Sequence, residues 1–152
     1  MTLAMTSAMN PVDCAELVAN IGDAVIAADA SGAITLWNPG AERMFGHTAA
    51  QALGQSLDLI TPERLRARHW AGYHQSAASG TTKYGNDLLR VPAVHRDGRA
   101  MSIAFTVAML FTPAREVSAI VAVIRDETDR FNEERALKRR VAELEAQLAA
   151  AK

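Results

Sequence analysis

Of the 152 residues, four histidines and one cysteine carry the donors that could serve as nucleophile, proton carrier or borderline metal ligand near neutral pH. His69 stands out, in the helix-compatible run Pro62-Glu-Arg-Leu-Arg-Ala-Arg-His-Trp-Ala-Gly-Tyr73. His47, His74 and His95 read as surface or turn residues, and no two histidines share a helix face at ligand spacing, so no structural zinc site is expected. A single histidine on an amphipathic helix has two uses. It can pack, here beside Leu65 and Tyr73 on the same face, or it can offer the lone pair of a neutral imidazole to a metal. Cys14 has no partner for an internal disulfide and reads as an inert thiol in a reducing cytosol.

No glycine-rich phosphate loop, nucleophile elbow, paired-carboxylate constellation, or kinase or cyclase motif appears, so the chain is expected not to be an enzyme. Sixteen basic and seventeen acidic residues leave a net charge of -1, which gives no overall field for nucleic acid or an anionic membrane. Hydrophobic residues make up 49%, enough for one domain with a proper core. No stretch reaches the length of a membrane span, and the first residues lack the pattern of a secretory leader. A cytoplasmic protein is expected.

The elements that would position His69 follow from local signals. Residues 1–12 are small, Met-rich and broken by Asn10-Pro11, which predicts a flexible start. Asp13 caps a short helix carrying Leu17, Val18 and Ile21. Ala24 to Ala28 and Ala33 to Trp37, with turn residues Asp29 to Gly32 between them, predict a hairpin. Asn38 then caps a helix with Pro39 at its first position and Gly46 at its end. A short helix over Ala49 to Leu53 precedes the longer one, which is expected to open at Thr61-Pro62-Glu63 and run to about Ser79-Gly80.

Three strands are expected next. The first covers roughly Tyr84 to Val94; the second, Met101 to Phe111, has large apolar residues at every odd position, the period-2 mark of a strand with one lined face. Val117 to Ile124 closes the sheet. From Glu127 the composition turns to charge and alanine, and Leu137, Val141, Leu144 and Leu148 recur at spacings of four, three and four. That heptad seam is too short to be a strong coiled coil unaided. The fold class is α+β, one antiparallel five-stranded sheet with short helices over one face. The expected divisions are 1–12, a domain over 13–128, and an amphipathic helix over 129–152.

The order Asp23-Ala-Val-Ile, Gly32-Ala-Ile-Thr-Leu-Trp37-Asn38-Pro39, Ala41-Glu42-Arg43-Met44-Phe45-Gly46, Gly54, Arg96-Asp97-Gly98 and Arg125-Asp126-Glu127-Thr128 resembles the PAS family over roughly Glu16 to Arg130. The resemblance implies helices that enclose a ligand pocket and a C-terminal helix that dimerises and signals to an output module. Between Pro62 and Asp97 the chain is similar to the haem-binding PAS sensors of rhizobial oxygen-sensor kinases. That similarity implies b-type haem, with His69 as proximal ligand, Phe105 and Val107 on the distal side, and Lys83 in the loop passing the pocket mouth as a propionate partner. Arg64, Arg66 and Arg68 read better as a solvated helix face.

Where those sensors place an arginine that donates to bound oxygen, the aligned residue is Leu89. Arg90 points the other way in a regular strand, unless a bulge at Asn86-Asp87 turns it inward. The implied input is therefore a diatomic gas (CO, NO or O2) or redox state, with oxygen selectivity poorly provided for. Two other readings stand beside it. The lined face of Met101, Ile103, Phe105, Val107 and Met109 serves equally as an ordinary core, which would make the chain a haem-free PAS dimerisation module with an empty or metabolite-filled pocket. Flavin binding without a reactive cysteine ranks lower, since nothing reads as a specific flavin contact, and Cys14 lies too far from the reactive-cysteine position of flavin-based light sensors for adduct formation. In either main reading the partners are a second copy, joined through the domain and the C-terminal helix, and a downstream output domain or protein.

Overall fold

The computed structural model describes residues 11–151. The expected flexible start therefore lies outside the described residues for all but its last two positions. Helix α1 (Cys14–Asn20) begins where Asp13 Oδ1 accepts the backbone N–H groups of Ala15 and Glu16. It buries none of its residues, and Leu17 stands half exposed. Strands β1 (Ala24–Ala28) and β2 (Ile34–Trp37) form the expected hairpin, followed by α2 (Pro39–Phe45) and α3 (Ala49–Ala52). Gly46 ends α2 in the left-handed region at φ 86°, where its missing Cβ avoids the cost a side chain would carry.

Two expectations about the next segment need correction. The long helix does not open at Thr61: Leu57–Ile60 and Glu63–Leu65 form tight 3-10 turns, and α4 runs only from Arg66 to Ser79. The Leu65 N–H closes back on the Pro62 oxygen at 2.9 Å, a tight turn of its own ahead of the helix. Likewise the third strand does not begin at Tyr84. Lys83–Gly85 is another 3-10 turn, and β3 spans Leu89–Val94.

Strands β4 (Ala100–Phe111) and β5 (Val117–Asp126) complete a sheet of order β2-β1-β5-β4-β3, every neighbouring pair antiparallel. The alternation along β4 holds from Met101 to Met109, while Phe111, past a register shift at Leu110, is exposed. Met101 and Ile103 are buried in the main core with Trp37, Phe45 and Ile60, and Phe105 packs against it. Val107 and Met109 pack against a second cluster around Ala28, Tyr73 and Ile120. Beyond the sheet, α5 (Thr128–Ala150) has no buried residue and is bonded to β4 at its first residue, Thr128.

Candidate functional site

Helix α4 touches the sheet through one aromatic row. Tyr73, its only buried residue, donates its hydroxyl to the backbone oxygen of Asp29 in the β1–β2 turn. Burial, with the nearby Asp29 charge, pushes that phenol up to about 12. The Trp70 indole N–H donates to Asp58 Oδ1 at 2.8 Å, and its ring lies over Gly32, where a Cβ would sit 2.2 Å from ring carbons. Gly32 also has φ 89°, so both the turn and the tryptophan require glycine there. These contacts bind α4 to the hairpin and to the Leu57–Ile60 turn.

His69 lies beside this row, its ring 4.8 Å from Trp70 and 5.8 Å from Tyr73 between centroids. It is partly buried and makes no hydrogen bond. Its Nδ1 is the single buried side-chain nitrogen or oxygen without a partner among the described residues. Burial lowers the imidazole pKa; the Asp58 charge opposes this and His74 adds to it. The ring is thus neutral near pH 7, and Nε2 keeps access to solvent. A buried polar atom left unpaired costs about 1–3 kcal/mol, so it is a feature with a cost at the center of this face.

Opposite α4, Leu89 and Phe105 sit directly across from each other in the β3–β4 register, on the inner face of the sheet. Val107, two residues on, shares a cluster with Tyr73 and Trp70, while Phe105 belongs to the main core; Leu57 contributes to both. Arg90 is exposed opposite Ala104, and the register is regular from Leu89 to Val94, so no bulge turns its side chain inward. Lys83 is exposed on its 3-10 turn with its ammonium 5.1 Å from the Tyr84 ring centre, and it makes no ion pair. Arg66 is engaged by the backbone oxygens of Asp58 and Thr61.

The donor chemistry fits an iron porphyrin: one neutral imidazole with neither ring nitrogen hydrogen-bonded among the described residues, and an apolar inner face of the sheet. The space is filled, however. Two open cavities of about 170 Å³ lie elsewhere, one at Ala77–Gly80 and Arg115–Val117, the other at Arg99–Met101, Asp126, Thr128 and Asp129. Each is below the roughly 300–1,000 Å³ of a small-molecule site. Admitting a macrocycle would require the α4 side chains and the sheet to part. No group of three or more His, Cys, Asp or Glu side chains able to hold a bare metal ion occurs among the described residues.

Sequence reasoning missed the residues that hold this face in place. Asp58, Trp70 and Gly32 come from three separate elements, and only the pairing of a turn glycine with a tryptophan hinted at them. The exit motif Arg125-Asp126-Glu127-Thr128 is visible in the sequence, but the partners that fix it are not. Arg125 Nε donates to Asp23 Oδ1 at 3.1 Å, Asp126 caps α5 by accepting the Thr128 N–H, and Ser102 N–H donates to Thr128 Oγ1 at 3.1 Å while its oxygen accepts Glu127 N–H at 2.8 Å. The exit motif is therefore fastened both to Asp23, just ahead of β1, and to β4. His47 and His95 proved partly buried rather than fully superficial, and His95 packs where a Cβ on Gly46 would strike its ring.

The model of the PAS fold matches residues 13–126. The chain belongs to the PAS family, a signalling module. It is 35% identical over 118 residues, 77% of its length, to an uncharacterised protein of Azorhizobium caulinodans, of which the match covers 16%. Over 49 residues, 32% of the chain, it is 43% identical to Sensor protein FixL of Bradyrhizobium diazoefficiens, of which the match covers 10%. The chain thus spans a small part of these relatives. A PAS domain from Colwellia psychrerythraea superposes with a TM-score of 0.66 at 21% identity, covering 76% of this chain and 94% of that one. A sensory box histidine kinase/response regulator structure from Burkholderia thailandensis gives 0.63 at 20% identity, covering 87% and 97%. Among the described residues, no helix is long and apolar enough to cross a membrane.

Proposed function

We propose that this chain is a PAS sensor that binds b-type haem through His69 and reports a diatomic gas or redox state through paired C-terminal helices. The observation that carries the reading is the neutral imidazole of His69, held against Trp70 and Tyr73 with no hydrogen bond to either ring nitrogen among the described residues. The partial identity to Sensor protein FixL supports the sensing half of it. Bound haem would supply an iron whose open position takes a small ligand or whose oxidation state changes. His69 would donate Nε2, Trp70 and Tyr73 would fix the ring, and Leu89, Phe105 and Val107 would keep the opposite side apolar. Lys83, in no ion pair among the described residues, would meet a propionate at the rim. With Leu89 facing inward and Arg90 outward, no charged donor is offered to bound oxygen, which favours inputs that need none.

Signal transfer would use the fastened junction. A change at Phe105 reaches Ser102 along β4, and Ser102 holds Thr128 and Glu127 at the start of α5. A ligand biases the helix pair only by its differential affinity for the two arrangements. The output module this pair acts on would be a downstream domain or protein.

The packed inner face and the two small cavities favour the second reading, a haem-free dimerisation module. One spectrum separates the two. Purified protein reconstituted with haem is expected to show a Soret band that His69→Ala shifts or abolishes. A colourless wild type after reconstitution, or a band indifferent to His69→Ala, rejects haem ligation at this residue.

A further inference from the structure

The turn between β3 and β4 is fastened to the end of α2 by His95 and Arg96. Arg96 N–H donates to the Phe45 oxygen at 2.9 Å and its Nη1 to the Gly46 oxygen at 3.5 Å, which sets a guanidinium at the carboxyl end of α2, where the helix dipole favours a cation. His95 fills the space that Gly46 leaves open: a Cβ there would lie 2.8 Å from its ring. His47 is partly buried and accepts the Trp37 indole N–H on its backbone oxygen at 2.9 Å, with the Trp37 ring edge-on to its imidazole. Two imidazoles and a guanidinium thus share one helix end. Among the described residues, Asp97 is the one carboxylate within ion-pair distance of any of them, 3.1 Å from His95 Nδ1, and Arg99 Nε stands 3.9 Å from its other oxygen. On α2 itself, Glu42 is spent on the Ala49 N–H and Arg43 adds a further cation to the last turn. His95 Nδ1 has both the Asp97 N–H at 3.2 Å and Asp97 Oδ1 at 3.1 Å within reach. Neutral, it accepts the N–H; protonated, it must donate to the carboxylate, which already accepts Arg99 N–H at 3.0 Å.

We infer that the 95–98 turn is a proton-operated latch on α2, closed while His47 and His95 are neutral and released when both take up protons and displace Arg96 from the Phe45 and Gly46 oxygens. The inference goes beyond the haem reading and does not depend on it. A cation on His47 is disfavoured first by burial and then by the Arg96 and His95 charges. The closed latch is therefore intact above the ordinary imidazole value of about 6.5 and is lost as pH falls toward the lowered value of the folded chain. Release would not stay local. Arg99 to Met101, just past the turn, share a cavity of about 170 Å³ with Asp126, Thr128 and Asp129 at the start of α5. Ser102, next along the strand, holds Thr128 and Glu127. Acid thereby becomes a second input to the α5 junction, entering from the turn rather than from the inner face of the sheet.

Nitrogen–proton NMR spectra of the full chain between pH 7.5 and 5.5 test the latch. Its two tryptophans separate this titration from that of His69, because the Trp37 indole N–H sits on His47 and the Trp70 indole N–H on Asp58. Protection of the Arg96 N–H against hydrogen exchange, corrected for the intrinsic pH dependence, is expected to fall about tenfold over that range. The Trp37 indole and Thr128 amide resonances should move with the same midpoint. In His47→Gln, and separately in His95→Gln, Arg96 at pH 5.5 should keep its neutral-pH protection to within about twofold. A Trp70 indole resonance unmoved at pH 7.5 shows each variant to be folded. The His47 ring makes no hydrogen bond among the described residues, so H47Q carries the test alone if H95Q loosens the turn. Constant Arg96 protection in the wild type, a fall that persists in H47Q, or a Thr128 amide indifferent to the release would each overturn the latch, and all three leave the Soret test untouched.

Discussion

Around Asn38 every polar atom has a partner, whereas on α4 His69 buries a nitrogen that has none. Asn38 Oδ1 accepts the N–H groups of Val25 and Ala41 at 2.8 and 2.9 Å, and its Nδ2 donates to the oxygens of Val18 and Asp23. One side chain thus joins α1, β1 and α2. Gly40 brings α2 so close that a Cβ there would lie 2.2 Å from the Asp23 oxygen. Further along the same face, α4 is held by aromatic contacts and the hydrogen bonds of Arg66, Trp70 and Tyr73, and the His69 Nδ1 is left over. The contrast separates a frame, where satisfied groups enforce one geometry, from a face that keeps unspent chemistry.

Substitutions should split along that line. Gly40→Ala must displace backbone, and Asn38→Ala strands the buried Val25 N–H as well as removing a helix cap; each should cost about 3 kcal/mol in urea unfolding. A loss under about 1 kcal/mol for both would break the comparison. Tyr73→Phe should cost about 1 kcal/mol, because the Asp29 oxygen it leaves also accepts Gly32 N–H at 2.9 Å. His69→Leu should change stability least, by no more than about 1 kcal/mol in either direction, since it removes an unpaired nitrogen along with some packing.

Acid sharpens the same comparison. Protonating His69 is harder in the folded chain than in the unfolded one, because burial lowers its pKa. Its stability contribution is therefore intact above the ordinary imidazole value of about 6.5 and is lost as pH falls from there toward the lowered folded value. His47, lowered by burial and then by Arg96 and His95, acts in the same direction. His69→Leu should accordingly reduce the drop in melting temperature between pH 7.5 and 5.5 without removing it. An unchanged drop would show that His69 titrates as if solvated.

Local signals carried much of the fold into view. The alternation in β4, the Asn38-Pro39 cap, the glycine ends of α2 and α4, and the heptad residues of α5 are written in neighbouring positions and survive folding unaltered. The errors fell where tertiary contacts decide. The long helix opens only at Arg66, after a separate turn at Glu63–Leu65, and the turn before that carries Asp58 to Trp70 twelve residues later. Tyr84 to Leu88 looked strand-like by composition, yet the chain turns there before it pairs with β4. At the site, the inward face of Leu89, Phe105 and Val107 was legible from parity alone. The state of His69 was not, since an unpaired nitrogen is a property of everything around it. The Asp23–Arg125 pair, 102 residues apart, left no mark on either local segment.

The anchoring of α5 at Ser102 also has a mechanical side. With 23 residues rising about 1.5 Å each, the helix is a rod of about 34 Å fixed at one end. A tilt of about 5° at the Ser102–Thr128 contact would carry its far end sideways by about 3 Å, more than half the rise of one helical turn. A displacement at the sheet too small to disturb core packing is thereby enlarged, by leverage alone, to the scale on which side chains in a coiled coil change neighbours.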